Sequence, residues 1–196
     1  ATAFVAQVDQ TPINMKKALT ILAITTIALG SAYAGCGKVV TNEGKLDALL
    51  ARFRDHTCKL FEKHGIENIG YWTPIEEADG SKNTLIYVVA HQSRESATAS
   101  WKSFSGDPEW QAARKASEVA GKILAKPPES IFMAATEYSP LPKLAISDTP
   151  RVFEMRTYNT EPGKLESLHQ RFKTHTIALF SKHGMSHLAY WTPLDE

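Results

Sequence analysis

Residues 44–77, GKLDALLARFRDHTCKLFEKHGIENIGYWTPIEE, return at an offset of 119 as residues 163–196, GKLESLHQRFKTHTIALFSKHGMSHLAYWTPLDE, with 18 of the 34 positions identical. A repeat of that length is one supersecondary unit used twice, so the chain has to bury the same apolar face two times over. The unit shows where that face lies. From Leu46 the residues of the apolar face, Thr57 among them, fall at 46, 49, 50, 53, 57, 60 and 61, the stripe of a helix lying on a sheet. Gly65 suits a left-handed helix end, and Lys63 and His64 sit at the negative end of the helix dipole. Residues 66–74 and 84–91 then read as two strands rich in aromatic and β-branched residues, joined across the polar turn at Asp79-Gly80.

The stretch after that hairpin is helical in composition over 93–104. Asp107 is placed to cap a second helical stretch that has Pro108 at its first position, and Trp101, Phe104 and Trp110 are expected to anchor both to the sheet. Residues 131–138 form a closing strand, and 139–150, with Pro140, Pro142 and Pro150, a stiffened linker. The cycle then restarts with a strand over 151–158, a helix over 163–183 and a strand over 185–193. The unit is strand, helix, strand, strand, helix, strand, an α+β fold of the ferredoxin-like (βαββαβ) pattern. Projecting 151–158 back by 119 residues lands on Tyr-Ala-Gly-Cys-Gly-Lys-Val-Val at 33–40, where glycines break the strand pattern. The first copy is therefore expected to lack its entry strand, with 151–158 filling or flanking the vacancy. The second copy, 151–196, ends after strand, helix and strand and is expected to be truncated.

The N-terminal part reads as a leader. Met15-Lys16-Lys17, an apolar run over 18–29 and Ala32-Tyr33-Ala34 before Gly35 have the layout of a secretory signal peptide over 15–34, cut between Ala34 and Gly35. The run falls short of the roughly 20 apolar residues a membrane span needs, so no stable span is expected. The mature chain is expected to be periplasmic or secreted, with lipid attachment at Cys36 as a minor variant. A Cys36–Cys58 disulfide is permitted in that setting. Residues 1–14 are left unassigned, and the first domain is set at 36–138. With 43% hydrophobic and 22% charged residues and a net charge of +1, the chain has no Lys/Arg stretch dense enough to track phosphates, which excludes nucleic acid as a partner.

Taken together, the helix GKLDALLARFRDHTCKLFEKHG, the strand carrying Tyr71-Trp72-Thr73-Pro74, and the series Trp101, Phe104 and Asp107-Pro108-Glu109-Trp110 resemble the NIPSNAP family, over about 40–138 and again over 151–196. The resemblance implies a dimeric α+β barrel, in which two ferredoxin-like units pack sheet to sheet, and implies that two tandem copies could imitate that dimer within one chain. The expected partner is thus a second unit, as a homodimer or an intramolecular pair.

No Walker loop, GxSxG, HExxH or CxxC is present, and no metal or cofactor is called for. His56 and His64 recur as His175 and His183. Eight residues apart, each pair lies about 80° apart around the helix and two turns along it, which does not suit chelation. His56 and its repeat His175 fall near the apolar stripe and face the space between helix and sheet, either as core-edge histidines or as ligand-binding groups; His64 reads as a helix cap. Tyr71 and Trp72, with Tyr190 and Trp191 as their repeats, point to opposite sheet faces, one to the helices and one to the barrel interior. With Trp101 they are the candidates for holding a small apolar ligand, core packing being the plainer role. Arg52, Arg171, Lys45 and Lys164 read as a solvated helix face. The favoured reading is a self-associating module for a small ligand or a protein; the alternative, by analogy of fold, is a monooxygenase-like or haem-handling enzyme.

Overall fold

A computed structural model of the chain describes residues 2–7, 33–140 and 151–194, the first stretch by its backbone. Most of the expected leader, 15–32, and most of the linker, 141–150, lie outside the described residues. The strands are β1 (Thr2–Gln7), β2 (Tyr33–Val40), β3 (Glu67–Pro74), β4 (Thr84–His91), β5 (Glu129–Ala135), β6 (Val152–Thr157) and β7 (Trp191–Pro193). Helix α1 runs through Leu46–Arg52, Phe53–Thr57 and Cys58–Lys63, α2 is Arg94–Gly106, α3 is Pro108–Ser117, and α4 runs through Leu165–Arg171, Phe172–Thr176 and Ile177–Lys182. The first repeat is therefore β2-α1-β3-β4-α2/α3-β5, and its strands pair antiparallel in the order β3-β4-β2-β5. This is the α+β, ferredoxin-like arrangement. Strand β7 of the second repeat continues the sheet beyond β5, with Met133 opposite Pro193 and Ala135 opposite Trp191.

The first repeat does have its entry strand. Tyr33–Val40 pairs with β4 over all eight residues and with β5 over six, at the centre of the sheet. Glycines are poor strand formers, but here one marks a close approach. A Cβ on Gly37 would stand 2.2 Å from Cζ of Tyr87, directly across the strand pair, so only glycine leaves room for that ring. There is no vacancy for 151–158 to fill. Strand β6 instead pairs with β1, Thr2 opposite Thr157 through Gln7 opposite Val152, and β1 joins β3 at Thr73 and Pro74. The bond between Ala34 and Gly35, the expected cleavage point, lies inside β2.

Strand β4 is buried along its whole length, which requires cover on both faces. One face carries Val39, Leu85, Tyr87 and Val89 beneath Leu49, Phe53, Leu60, Phe61 and Phe104 of the helices. Its rings interlock: Phe61 lies 4.9 Å from Phe104 and 5.1 Å from Trp101, both edge-on, and Phe104 lies 4.6 Å from Trp110. The opposite face carries Ala34, Trp72, Val88 and Met133, and the second repeat covers it with Phe153, Leu188 and Trp191. Arg52, expected in solvent, is buried: its guanidinium reaches Glu118 at 3.5 Å and lies 5.3 Å from the Trp110 ring centre. Arg171 is exposed as expected. Cys36 and Cys58 are both free thiols, Cys36 packed against the cluster on the far face and Cys58 against the one on the helix face.

Both long helices contain a π turn, at Phe53–Thr57 and at Phe172–Thr176. The repeated threonine supports it: Thr57 Oγ1 donates to the Arg52 carbonyl at 3.1 Å and Thr176 Oγ1 to the Arg171 carbonyl at 3.3 Å, each five residues back. The turn also corrects the expectation for His56 and His175. On a regular helix, His56 lies seven residues past Leu49 and so within about 20° of it, on the buried face. One inserted residue passes that bearing to Thr57, which is buried, and leaves His56 exposed; His175 is exposed for the same reason.

Asp107 ties the helices together. Its carboxylate caps α3 by accepting from the backbone N–H of Glu109 at 2.7 Å and of Trp110 at 3.4 Å, and it meets Lys63 at 2.8 Å and His64 at 2.7 Å from the end of α1. The bond from Lys63, then that from His64, holds this carboxyl far below the usual carboxylate range.

Two outcomes follow from this packing. Gly37→Ala should lower stability by about 1–3 kcal/mol in urea unfolding, the usual cost of overpacking, and by less in a Tyr87→Leu background where the ring is gone. A group whose folded pKa is depressed adds stability above its unfolded pKa and loses it as pH falls towards the folded value. Asp107→Asn should therefore be less stable than the parent at pH 7, with the gap in urea midpoint narrowing as pH drops below about 4.

Candidate functional site

The residues singled out in the sequence do not gather in one place. Tyr71 faces the helices, its ring 5.6 Å from Phe53 and 6.1 Å from Tyr87, and its hydroxyl donates to Asn68 Oδ1. Burial, with Cys58 adding, raises its pKa far above the ordinary phenol value, so it stays neutral as a core residue. Tyr87 beside it is pushed up to about 12, again by burial first and Cys36 second. Trp72 and Trp191 face the opposite way, as the alternation of the strand predicts, and share the cluster between the repeats; Trp72 lies 5.8 Å from Phe153. Trp101 packs on Phe61 and 6.1 Å from His91. His91 is buried with neither ring nitrogen hydrogen-bonded among the described residues, and burial lowers its pKa, which keeps the ring neutral.

One polar group has the layout of a nucleophile, a base and an orienting carboxylate. Ser103 Oγ lies 2.8 Å from His64 Nδ1, and His64 Nε2 lies 2.7 Å from Asp107 Oδ2. Acyl transfer also needs donors for the developing oxyanion. The N–H groups of Glu109 and Trp110 opening α3 are already taken by Asp107 itself. The trio closes the end of α1 onto α2 and α3, which agrees with the capping role expected for His64.

The other constellation lies where the second repeat meets the end of the first. A cleft of about 720 Å³ is bounded by Glu137, Tyr138, Ser139 and Pro140 on one side. On the other stand Ile177 and Ser181 of α4, Met185 and His187 of the turn that follows, and Tyr190. Its walls are fixed by hydrogen bonds. Tyr138 Oη meets His169 Nδ1 at 2.8 Å, Ser139 Oγ accepts from the Tyr190 N–H at 2.8 Å, and His187 bridges Ser181 Oγ at 2.8 Å and the Tyr190 hydroxyl. Tyr138 and Tyr190 pack with ring centres 5.4 Å apart, and burial raises the pKa of both. Of the expected residues only Tyr190 lines this cleft. The signal that was missed lies in the differences between the copies: Cys58, Glu62, Ile66, Glu67 and Asn68 of the first become Ile177, Ser181, Met185, Ser186 and His187 of the second, all of them lining residues. The change removes two carboxylates and supplies apolar surface with a few hydrogen-bonding groups, the composition of a small-molecule site.

Among the described residues no helix is long and apolar enough to cross a membrane. No curated protein matches the chain. Among solved structures, it is similar to an uncharacterised NIPSNAP domain protein from Burkholderia xenovorans, at 20% identity and a TM-score of 0.46, over 55% of this chain and 98% of that one. It is also similar to a NIPSNAP family protein of unknown function from Agrobacterium tumefaciens, at 18% identity and a TM-score of 0.48, over 58% of this chain and 96% of that one. A monooxygenase from Streptomyces coelicolor in complex with nanaomycin D stands further off, at 14% identity and a TM-score of 0.38, over 61% of this chain and 94% of that one. The assignment rests on the comparison with protein families, in which NIPSNAP matches residues 40–140 and again 153–195, well over half of the sequence; the chain belongs to the NIPSNAP family.

Proposed function

We propose that this NIPSNAP chain is a binding module in which two units pair face to face, and that the cleft between them takes a small ligand with an aromatic or apolar body and one polar group. The cleft carries the reading. It is a largely open groove of about 720 Å³, a volume within the range of small-molecule sites, about 300–1,000 Å³. Tyr138, Ile177 and Met185 offer the apolar walls, and Ser181 and His187 can exchange their mutual hydrogen bond for one to the ligand. The helix face of the first repeat offers less, because Phe53, Phe61, Tyr71, Tyr87 and Phe104 fill it with their own rings. Pairing of the units rests on the β5–β7 ladder and on Phe153, Leu188 and Trp191 lying over the first sheet.

A fluorescent aromatic sulfonate, anilinonaphthalene sulfonate, tests the cleft. It should bind one site saturably, about tenfold more weakly in Met185→Asp, and Ile177→Trp, which fills the cleft from its rim, should abolish the signal while leaving the thermal midpoint within a few degrees. Fluorescence that Ile177→Trp leaves unchanged would rule the cleft out as the binding site.

A further inference from the structure

The hydrogen bonds along one wall of the cleft can be counted proton by proton. Ser181 Oγ meets His187 Nε2 at 2.8 Å and His187 Nδ1 meets the Tyr190 hydroxyl, so three side chains that all line the cleft form one relay with two contacts. A neutral imidazole brings one hydrogen and each hydroxyl one, three in all, and each contact uses one of them. One donor is therefore left over in either tautomer. With the proton on Nε2 the ring donates to Ser181, Tyr190 donates to the ring, and the spare hydrogen is on Ser181; with the proton on Nδ1 it is on Tyr190. A protonated ring leaves two spare donors. Burial raises the pKa of Tyr190, which keeps its hydrogen in place.

The first repeat closes the same relay. Tyr71 donates to Asn68 Oδ1, and the two amide hydrogens of Asn68 go to the Cys58 carbonyl and to Glu62 Oε1, each at 3.0 Å. All three hydrogens are spent, and the chain ends on a carboxylate, which only accepts. Glu62 is exposed and Asn68 half-buried although β4, α2 and α3 of that repeat are in place, so this side of the helix is not one that a repeat covers with its own elements. Serine for Glu62 and histidine for Asn68 thus turn a relay that ends in an acceptor into one that ends in a free donor.

A ligand that offers an acceptor takes up the spare hydrogen. A ligand whose polar group only donates leaves it unpaired between Tyr138 and Ile177, where an unmade hydrogen bond costs affinity. The carboxylate of Glu137 at the rim does not redress this, because Lys173 already pairs with it. On the reading of the cleft as a small-molecule site, we infer that its ligand is an aromatic compound whose polar group is a carbonyl oxygen, held by the relay of Ser181, His187 and Tyr190, and that amines are selected against.

The test displaces anilinonaphthalene sulfonate from the 196-residue chain with three compounds that share a naphthalene body: methyl naphthyl ketone, its carbon isostere isopropenylnaphthalene, and naphthylmethylamine. The ketone should displace the dye at about tenfold lower concentration than either of the others. Ser181→Glu puts the acceptor of the first repeat at an exposed helix position and should leave the circular dichroism unchanged. In that variant the ketone should lose its advantage over the isostere, and the amine should become the strongest of the three. Equal displacement by ketone and isostere in the parent, or a ratio between them that Ser181→Glu leaves as it was, overturns the inference while the cleft stands as a site. A dye that does not bind, or that Ile177→Trp does not dislodge, removes the cleft reading itself and the inference with it.

Discussion

The burial of β4 on both faces is the constraint on which the rest of the molecule depends. A strand reading Thr-Leu-Ile-Tyr-Val-Val-Ala-His has no polar side to give to water, so neither layer around it is optional. The helices meet one face with a cluster of interlocked rings. The second repeat meets the other, where Trp191, Leu188 and Phe153 close over Trp72, Val88 and Ala34. Removing a buried aromatic ring from such a layer typically costs about 3–5 kcal/mol, a large share of the stability of an ordinary domain. The pairing of the two repeats is in this sense part of the core of the first.

Local chemistry that acts within a few residues was legible in the sequence. The Asp107 cap with Pro108 behind it, the span of Thr84–His91, the opposed directions of Tyr71 and Trp72, and the anchoring by Trp101, Phe104 and Trp110 all follow from short-range rules. What escaped were features fixed by contacts across the fold. Gly37 looks like a strand breaker until Tyr87 is seen to need the space. His56 looks inward until a π turn, which no simple periodicity announces, rotates it out. Arg52 reads as a surface charge because nothing near it in sequence says that Glu118 and Trp110 will enclose it.

The cleft was hidden for a different reason. Attention to a repeat falls on the positions that are the same, and those positions hold the fold: Phe53 and Phe172 stand over their sheets, Thr57 and Thr176 support the π turns, and Gly65 and Gly184 end the helices with positive φ. Identity at His56 and His175 reports nothing about an interior, since both are exposed.

The two copies also meet unlike surroundings, and this explains why their differences concentrate where they do. Glu62 accepts from Asn68 on the outer side of the first repeat, where a carboxylate stays solvated. Its repeat, Ser181, faces the end of β5 through the cleft, where a second carboxylate near Glu137 would add like charge to a partly enclosed space. Serine with His187 keeps the hydrogen bond that Glu62 and Asn68 make and discards the charge. The same helix therefore serves as packing in one copy and as the wall of a tyrosine-lined cleft in the other, a division of roles that leaves the shared fold untouched.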